Sequence, residues 1–452
     1  TVFLDMSRRS LATGVDAYVL LLPAGSNMRV GILEGCVGVC NLVCTVIAGI
    51  AADRFGRSIV LRRAAVVILL SGSMIVVTLF ALEINVRYYG LLAAAVLQGV
   101  GNGLYTTPFE ALFGDSTPSG AERNRYYSYK GSMYTLGLAT GPLTAILIFL
   151  VRGDTWTRPE LVIIMLTAVG ISVVQVALVC FFRDVQKPVD ESLLDALPAP
   201  VEEVEVGSVA GPAGPQLDAL TETVNAATVV TDAAKARSCC GFTRAHVAPL
   251  IAISNLLLGL GSGMTYKFVP MFCWMSLGLS PIPTQAIVAG FQLMATLGNF
   301  VLERLGRRIG AMGAIVLFSI LGCMALAVVA LAADRTVVIV ALLVRGALMN
   351  ATTGLTGSVL NDHIPKEKRA RWNMAQQVRL VTWSGSAFAG GAIIDAIGYR
   401  PHDVHHLPDT SVKTTTAFID GYRTAFLCCL GFHTVATLCL MPLVPLVPPK
   451  RK

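Results

Sequence analysis

The chain has 452 residues, 54% of them hydrophobic and only 14% charged, with a formal net charge of +7 and a mean hydropathy of +0.67. That balance excludes a soluble globular protein, which would precipitate, and suits a chain dissolved in a bilayer. The apolar runs are continuous rather than alternating, which excludes a membrane β-barrel and leaves helices to satisfy the backbone in lipid.

Apolar runs of about 20 residues predict six spans near 3–23, 30–51, 61–83, 89–113, 130–151 and 160–182. Six more are predicted near 246–275, 283–302, 309–333, 336–358, 374–397 and 422–446. The first span is the least apolar, since it carries Asp5, Arg8, Arg9 and Asp16. The chain opens on Thr1 rather than Met, which leaves room for a native N-terminus upstream. No cleavable leader is read, because the first span itself can direct insertion.

Between the sixth and seventh spans the composition changes. Residues 183–245 contain Pro198-Ala199-Pro200, Glu202-Glu203-Val204-Glu205 and Gly211-Pro212-Ala213-Gly214-Pro215, with few large apolar side chains. Such a segment cannot bury a core and is expected to be a disordered cytosolic linker. The predicted fold is therefore an all-α, twelve-span membrane protein built as two six-helix bundles, residues 1–182 and 246–452.

Charged loops repeat across the two halves. Gly49, Asp53, Arg54, Gly56 and Arg57 follow span two, and Glu303, Arg304, Gly306 and Arg307 follow span eight, 250 residues later. Asp115 follows span four and Asp362 follows span ten, 247 residues later, each ahead of a basic pair. Parallel duplication of a six-helix unit, with a substrate site between the units near the midplane, is a transporter architecture. Basic residues concentrate after even-numbered spans, at Arg54, Arg57, Arg62, Arg63, Arg123, Arg125, Lys130, Arg304, Arg307, Arg308, Lys366, Lys368, Arg369 and Arg371. By the positive-inside rule these loops, both termini and the linker face the cytosol. The net positive charge is then membrane topology, and a nucleic-acid partner is not expected.

The pattern Gly-x-x-x-Asp-Arg-x-Gly-Arg at residues 49–57 resembles the signature motif of the major facilitator superfamily, and the resemblance covers essentially the whole chain. It implies alternating access, with two bundles rocking around a central cavity. It also implies that Asp53 caps the cytosolic end of span eleven when the transporter faces outward, an arrangement worth about 0.3–1 kcal/mol at a helix N-terminus. Gly56 permits the tight turn, and Arg54 and Arg57 are expected to pair with a carboxylate ending span four, for which Asp115 is the candidate. Ser58 stands where the family usually has a further basic residue. Span four reads Ala95-Val96-Leu97-Gln98-Gly99 and lacks the Arg of proton-coupled members. Span five carries Gly137-Leu138-Ala139-Thr140-Gly141-Pro142, but Ala145-Ile146 replaces the closing glycines of the antiporter motif. With no sugar-porter signature after span six, the subfamily stays open.

An ionised side chain at bilayer depth costs roughly 2.5–3.5 kcal/mol, so each one needs a reason. Arg345 lies near the middle of span ten, with Gln98 as its counterpart in the repeat. It is expected either to face the cavity or to sit in a structural ion pair. Asp16 and Glu34 are its partner candidates, although Glu34 lies within about one turn of the surface, where a solvated helix end is the plainer reading. Glu110 reads as an interfacial acid or as part of the motif-loop network. Span seven is polar at Tyr266 and Lys267, and the lysine either lines the path or snorkels outward. Asn102, Gln292 and Asn350 add uncharged hydrogen-bonding groups.

Other features carry less. Cys36, Cys40 and Cys44 recur on one helix face without a His or acid to complete a metal site, and read as packing residues. Cys239-Cys240 in the linker suit palmitoylation no better than a plain linker reading, and the loop residues His402, His405 and His406 read as a solvated loop ahead of a loose metal site, so no metal or cofactor is assigned. No nucleotide motif supports ATP-driven transport. The expected function is secondary transport of a small organic solute by a non-enzymatic, single-copy membrane protein. Protons are the candidate coupling ion, with Asp16 or Glu34 and Arg345 opposite along the path. Arg345 tilts the substrate toward anionic or zwitterionic solutes. A nutrient receptor on the same fold and a passive facilitator stand as alternatives.

Overall fold

The computed structural model describes residues 2–117, 121–184, 246–363, 369–398 and 417–447, and these contain helices and no strand. The N-terminal half holds α1 (Val2–Leu20), α2 (Asn27–Phe55), α3 (Arg57–Phe80), α4 (Arg87–Ser116), α5 (Ala121–Arg152) and α6 (Arg158–Cys180). The C-terminal half holds α7 (Val247–Tyr266), α8 (Val269–Met275), α9 (Pro281–Ile309), α10 (Ala311–Leu331), α11 (Arg335–His363), α12 (Arg369–Ile397) and α13 (Gly421–Leu440). Among the described residues eight spans, with α7 and α8 counted as one, are long and apolar enough to cross a bilayer. The others are diluted by polar residues, and α1 and α4 turn theirs into the protein interior. Outward-facing side chains such as Ile50, Phe80, Val151 and Phe300 lie bare, as a lipid-facing surface requires. The linker expected over 183–245 lies outside the described residues except for Arg183 and Asp184, as do Cys239, Cys240, His402, His405 and His406.

A single glycine separates α2 from α3, and another separates α9 from α10. Gly56 has φ +91° and Gly310 has φ +89°, a backbone region that an L side chain rarely enters. The expectation for Gly56 fits this turn. For the repeat it needs correction: the structural counterpart of Gly56 is Gly310, 254 residues on. The matched residues Glu303, Arg304, Gly306 and Arg307 sit within α9, one helical turn before the loop. Glu303 there pairs with Arg307 at 2.5 Å on an exposed helix face, a contact worth about 0.3–0.5 kcal/mol.

The motif loop is tied down from two sides. Arg57 donates to the Ala111 carbonyl near the end of α4 at 2.9 Å. The side chain of Asp115, the expected partner, lies outside the described residues, as does that of Asp362. Arg54 is exposed, with its guanidinium 5.5 Å from the Phe55 ring centre. Asp53 is also exposed, and the side chains at 369–381, which include the cytosolic end of span eleven that Asp53 is expected to cap, lie outside the described residues. Asp184, just past α6, accepts from Ser58 N at 2.9 Å and from Ser58 Oγ at 2.7 Å. It supplies the N-terminal cap that Gly56 has no side chain to make. Partial burial pushes the Asp184 carboxyl up, but the hydrogen bonds from Ser58 and Arg57 outweigh it and hold the group below its ordinary value. This cap is in place above the ordinary carboxylate range and is lost as pH falls through the lowered value.

Small residues set the helix spacing. Cys40 and Cys44 on α2 pack directly on Gly99 and Gly103 of α4, which matches the packing role read for the cysteine stripe. The two halves meet along two seams, α2 against α12 and α5 against α9. In the first seam a Cβ on Gly31 would lie 2.5 Å from the Ala387 carbonyl oxygen, and one on Gly391 would lie 2.4 Å from that of Asn27. The backbones touch there because no side chain intervenes.

Candidate functional site

One end of the molecule is sealed by contacts between the halves. Asp395 on α12 caps the start of α2, accepting from Asn27 N and Nδ2 at 3.0 Å each and from Met28 N at 2.7 Å. Asp154, just after α5, caps the start of α9, accepting from Ile282 N at 2.8 Å and Ser280 Oγ at 2.5 Å. Each half therefore supplies a carboxylate to a helix N-terminus of the other, where the helix dipole favours negative charge. Trp156 stacks on Trp274 with centroids 4.9 Å apart and donates to the Leu279 carbonyl at 3.1 Å. Tyr422 also donates across the seal, to Asn27 Oδ1 at 2.9 Å.

Beneath this seal lies a cavity of about 620 Å³ between the bundles, extending toward the motif-loop end as far as Asp5, Thr45 and Asn299. Helical periodicity builds its walls. Asp5, Arg9, Ala12 and Asp16 fall on one face of α1 at three- and four-residue spacing, and Glu34, Gly38, Asn41 and Thr45 do so on α2.

The C-terminal wall depends on a broken helix. Residues 246–275 read as one span, but α7 ends at Tyr266 and α8 restarts at Val269. Pro270 explains the break: it has no N–H to donate, and its ring would clash with the Tyr266 carbonyl of a continuous helix. Lys267 sits at the interruption and projects into the cavity instead of snorkelling outward. Its ammonium lies 3.1 Å from Asp16 Oδ2 and 2.9 Å from Glu34 Oε2, with the three side chains 6–23% exposed. Ser384 on α12 donates to Glu34 Oε1 at 3.3 Å. Glu34 is thus an interior group held by the opposite half, and the solvated-end reading does not apply.

Arg9 donates to the Tyr266 hydroxyl, and Gln292 Nε2 donates to the same oxygen at 2.7 Å. Arg8 places Nε and Nη2 on Asn102 Oδ1 at 3.0 and 2.6 Å. Gln98 and Asn350 also line the cavity, Asn350 donating to the Gly346 carbonyl at 3.2 Å. Of the expected path residues, Asp16, Glu34, Gln98, Asn102, Tyr266, Lys267, Gln292 and Asn350 come together. Arg345 does not. Sequence reasoning left out Arg8 and Arg9, whose signal was their spacing against Asp5 and Asp16 on one helix face.

Arg345 lies inside the C-terminal bundle, 3% exposed, with Nη2 3.8 Å from Cys429 Sγ and Nε without a partner. His433 is beside it, 3.6 Å from Cys429 Sγ and 3.1 Å from Ser262 Oγ. Aligning the starts of α4 and α11 pairs Gln98 with Gly346, so Arg345 is turned about 100° away from the cavity face. Lys267 stands opposite Asp16 and Glu34 in its place. A buried guanidinium this poorly paired is costly, so Arg345→Met should be neutral or stabilising by about 1–4 kcal/mol. The melting temperature of the purified protein checks this, and a drop of several degrees would contradict it. Glu110, at the end of the N-terminal bundle, is half exposed and ion-paired with Lys130.

Among the described residues no group of His, Cys, Asp and Glu is arranged to hold a metal ion. The sequence model described as Major Facilitator Superfamily matches residues 3–390. No curated protein matches by sequence. In structure the chain is similar to the nucleoside transporter NupG, at 14% identity and TM-score 0.58 over 97% of this chain and 96% of that one. It is also similar to a D-xylose–proton symporter, at 11% identity and TM-score 0.61 over 97% and 96%. A third similarity is to a bacterial homologue of the human lysosomal transporter Spinster, inward-facing and occupied, at 14% identity and TM-score 0.62 over 97% and 93%. At such identities these likenesses carry the fold alone. With the family match spanning most of its length, the chain belongs to the Major Facilitator Superfamily and is a multi-pass membrane transporter, not an enzyme.

Proposed function

We propose that the protein is a proton-coupled secondary transporter that moves a small organic solute by alternating access, with the motif loops and both termini in the cytosol. The observation that carries this reading is the bridge from Lys267 to Asp16 and Glu34, which joins the two halves directly under the sealed end. Two acids sharing one ammonium leave a surplus negative charge in a poorly solvated place, and one proton neutralises it. A proton on either acid weakens the bridge, so the sealed end parts and the motif-loop end closes. Solute and proton then meet the opposite side of the membrane. The concentration of basic residues at the motif-loop end supports the orientation.

The test needs no substrate. Spin labels carried on a keto amino acid at Phe55 and Arg308, exposed on opposite halves, leave the native cysteines unmodified. Lowering pH from about 8 to about 5 should shorten the distance between the labels. Asp16→Asn with Glu34→Gln should give the short distance at both pH values. A distribution indifferent to pH and to the double substitution would end the coupling role of this pair.

A further inference from the structure

The cavity holds a second charged group that the proton-coupled reading does not use. On α1, Arg8 and Arg9 lie about one turn beyond Asp5, and all three line the cavity. Among the described residues no carboxylate stands within ion-pair distance of either guanidinium; Arg8 rests on Asn102, and Arg9 on the Tyr266 hydroxyl. Arg9 has five N–H donors; Nη2 gives one to Tyr266, and among the described residues Nε and Nη1 have no acceptor, so the second Nη2 hydrogen and a neighbouring N–H leave one fork open. This group carries one surplus positive charge, while Lys267 with its two acids carries one surplus negative charge. A planar guanidinium with open donors matches a carboxylate, which it can grip in two parallel hydrogen bonds.

Beside Arg9 the wall is aromatic. The Tyr266 ring meets Trp383 edge-on at 5.2 Å and Phe291 at 5.7 Å, and all three line a volume of about 620 Å³. That volume falls in the range of roughly 300–1,000 Å³ typical of small-molecule sites, and the aromatic wall suits a flat ring. We infer that the solute is a ring-bearing organic monoanion whose carboxylate docks on Arg9 and whose ring lies against Tyr266, Trp383 and Phe291. Resting on the proton-coupled reading, the inference adds a stoichiometry. One anion cancels the surplus on α1 and one proton cancels the surplus at Lys267, so the loaded cavity is neutral and its reorientation moves no net charge across the membrane.

Thermal shift and tryptophan fluorescence on the purified full chain test it, with benzoate and indole-3-acetate as acids. Benzamide and indole-3-acetamide serve as neutral counterparts, benzylamine and tryptamine as cations. The acids should bind roughly tenfold or more tighter than their amides, and the amines not at all. Arg9→Gln should abolish the preference for acids, and Arg9→Lys should keep the preference at lower affinity, since it retains charge without the fork. Amides or amines binding as well as acids, no binding by either acid, or undiminished acid binding in Arg9→Gln overturns the inference. The first two outcomes are read on the wild type and do not depend on a variant folding. The two proposals fail separately: Arg9-dependent acid binding without a pH-driven change in the Phe55–Arg308 distance removes coupling and leaves the anion site.

Discussion

Replacing Lys267 with Met should shift the resting protein toward the state sealed at the motif-loop end. The substitution removes the cation that joins the α7–α8 break to α1 and α2 and leaves Asp16 and Glu34 facing each other on the same half. Breaking a fully buried pair by removing one partner costs about 3–5 kcal/mol. Here Lys267 and Glu34 keep 17% and 23% exposure, so water recovers part of that. The remaining bias of about 1–3 kcal/mol corresponds to a roughly 5- to 150-fold change in population. The distance between labels at Phe55 and Arg308 should shorten, and its pH dependence should flatten. An unchanged distance distribution in Lys267→Met would mean that the ion pair fills space without holding the halves together.

Gly391→Val should produce the same shift by a purely steric route. A side chain at Gly391 meets the Asn27 carbonyl across the α2–α12 seam, and one at Gly31 meets Ala387. Overpacking of this kind costs about 1–3 kcal/mol, and it falls between the halves, at the seam that the proposed alternating access would part. Each bundle should therefore keep its fold while the sealed end is wedged apart. The label distance should shorten at every pH, with the pH response retained from the higher-populated new state. Gly31→Val is the matching change on the facing helix. A wild-type distance with a lowered melting temperature would show that the seam yields locally and does not govern opening.

The fold was legible because bilayer crossing depends on a one-dimensional property, the length of an apolar run. The span predicted near 30–51 appears as Asn27–Phe55, and the one near 309–333 as Ala311–Leu331. Polar groups on α1 weakened its apolar signal for the same reason that they build the cavity. The broken helix at Lys267 was readable in principle from Pro270, but the run is apolar enough to be read straight through. Residue type alone matches Glu303 to Asp53, a comparison blind to a slip of one turn that the turn glycines Gly56 and Gly310 resolve. Arg345 shows the limit of depth as a guide: height in the membrane can be read from position along the span, but facing needs the helix rotation. The pairing of Lys267 with Asp16 and Glu34 joins residues more than two hundred positions apart, and no local pattern announces it.

The reciprocal caps at Asp395 and Asp154 bear on how the protein moves between its end states. If only one seam parted, a single helix would lose its borrowed carboxylate while the other kept its own, and the bundles would twist against a remaining hinge. With a borrowed cap at each seam, the proposed alternating access has to release both carboxylates, and a concerted release leaves neither helix start uncapped alone. Intermediate postures should be short-lived, and a population caught halfway should be scarce.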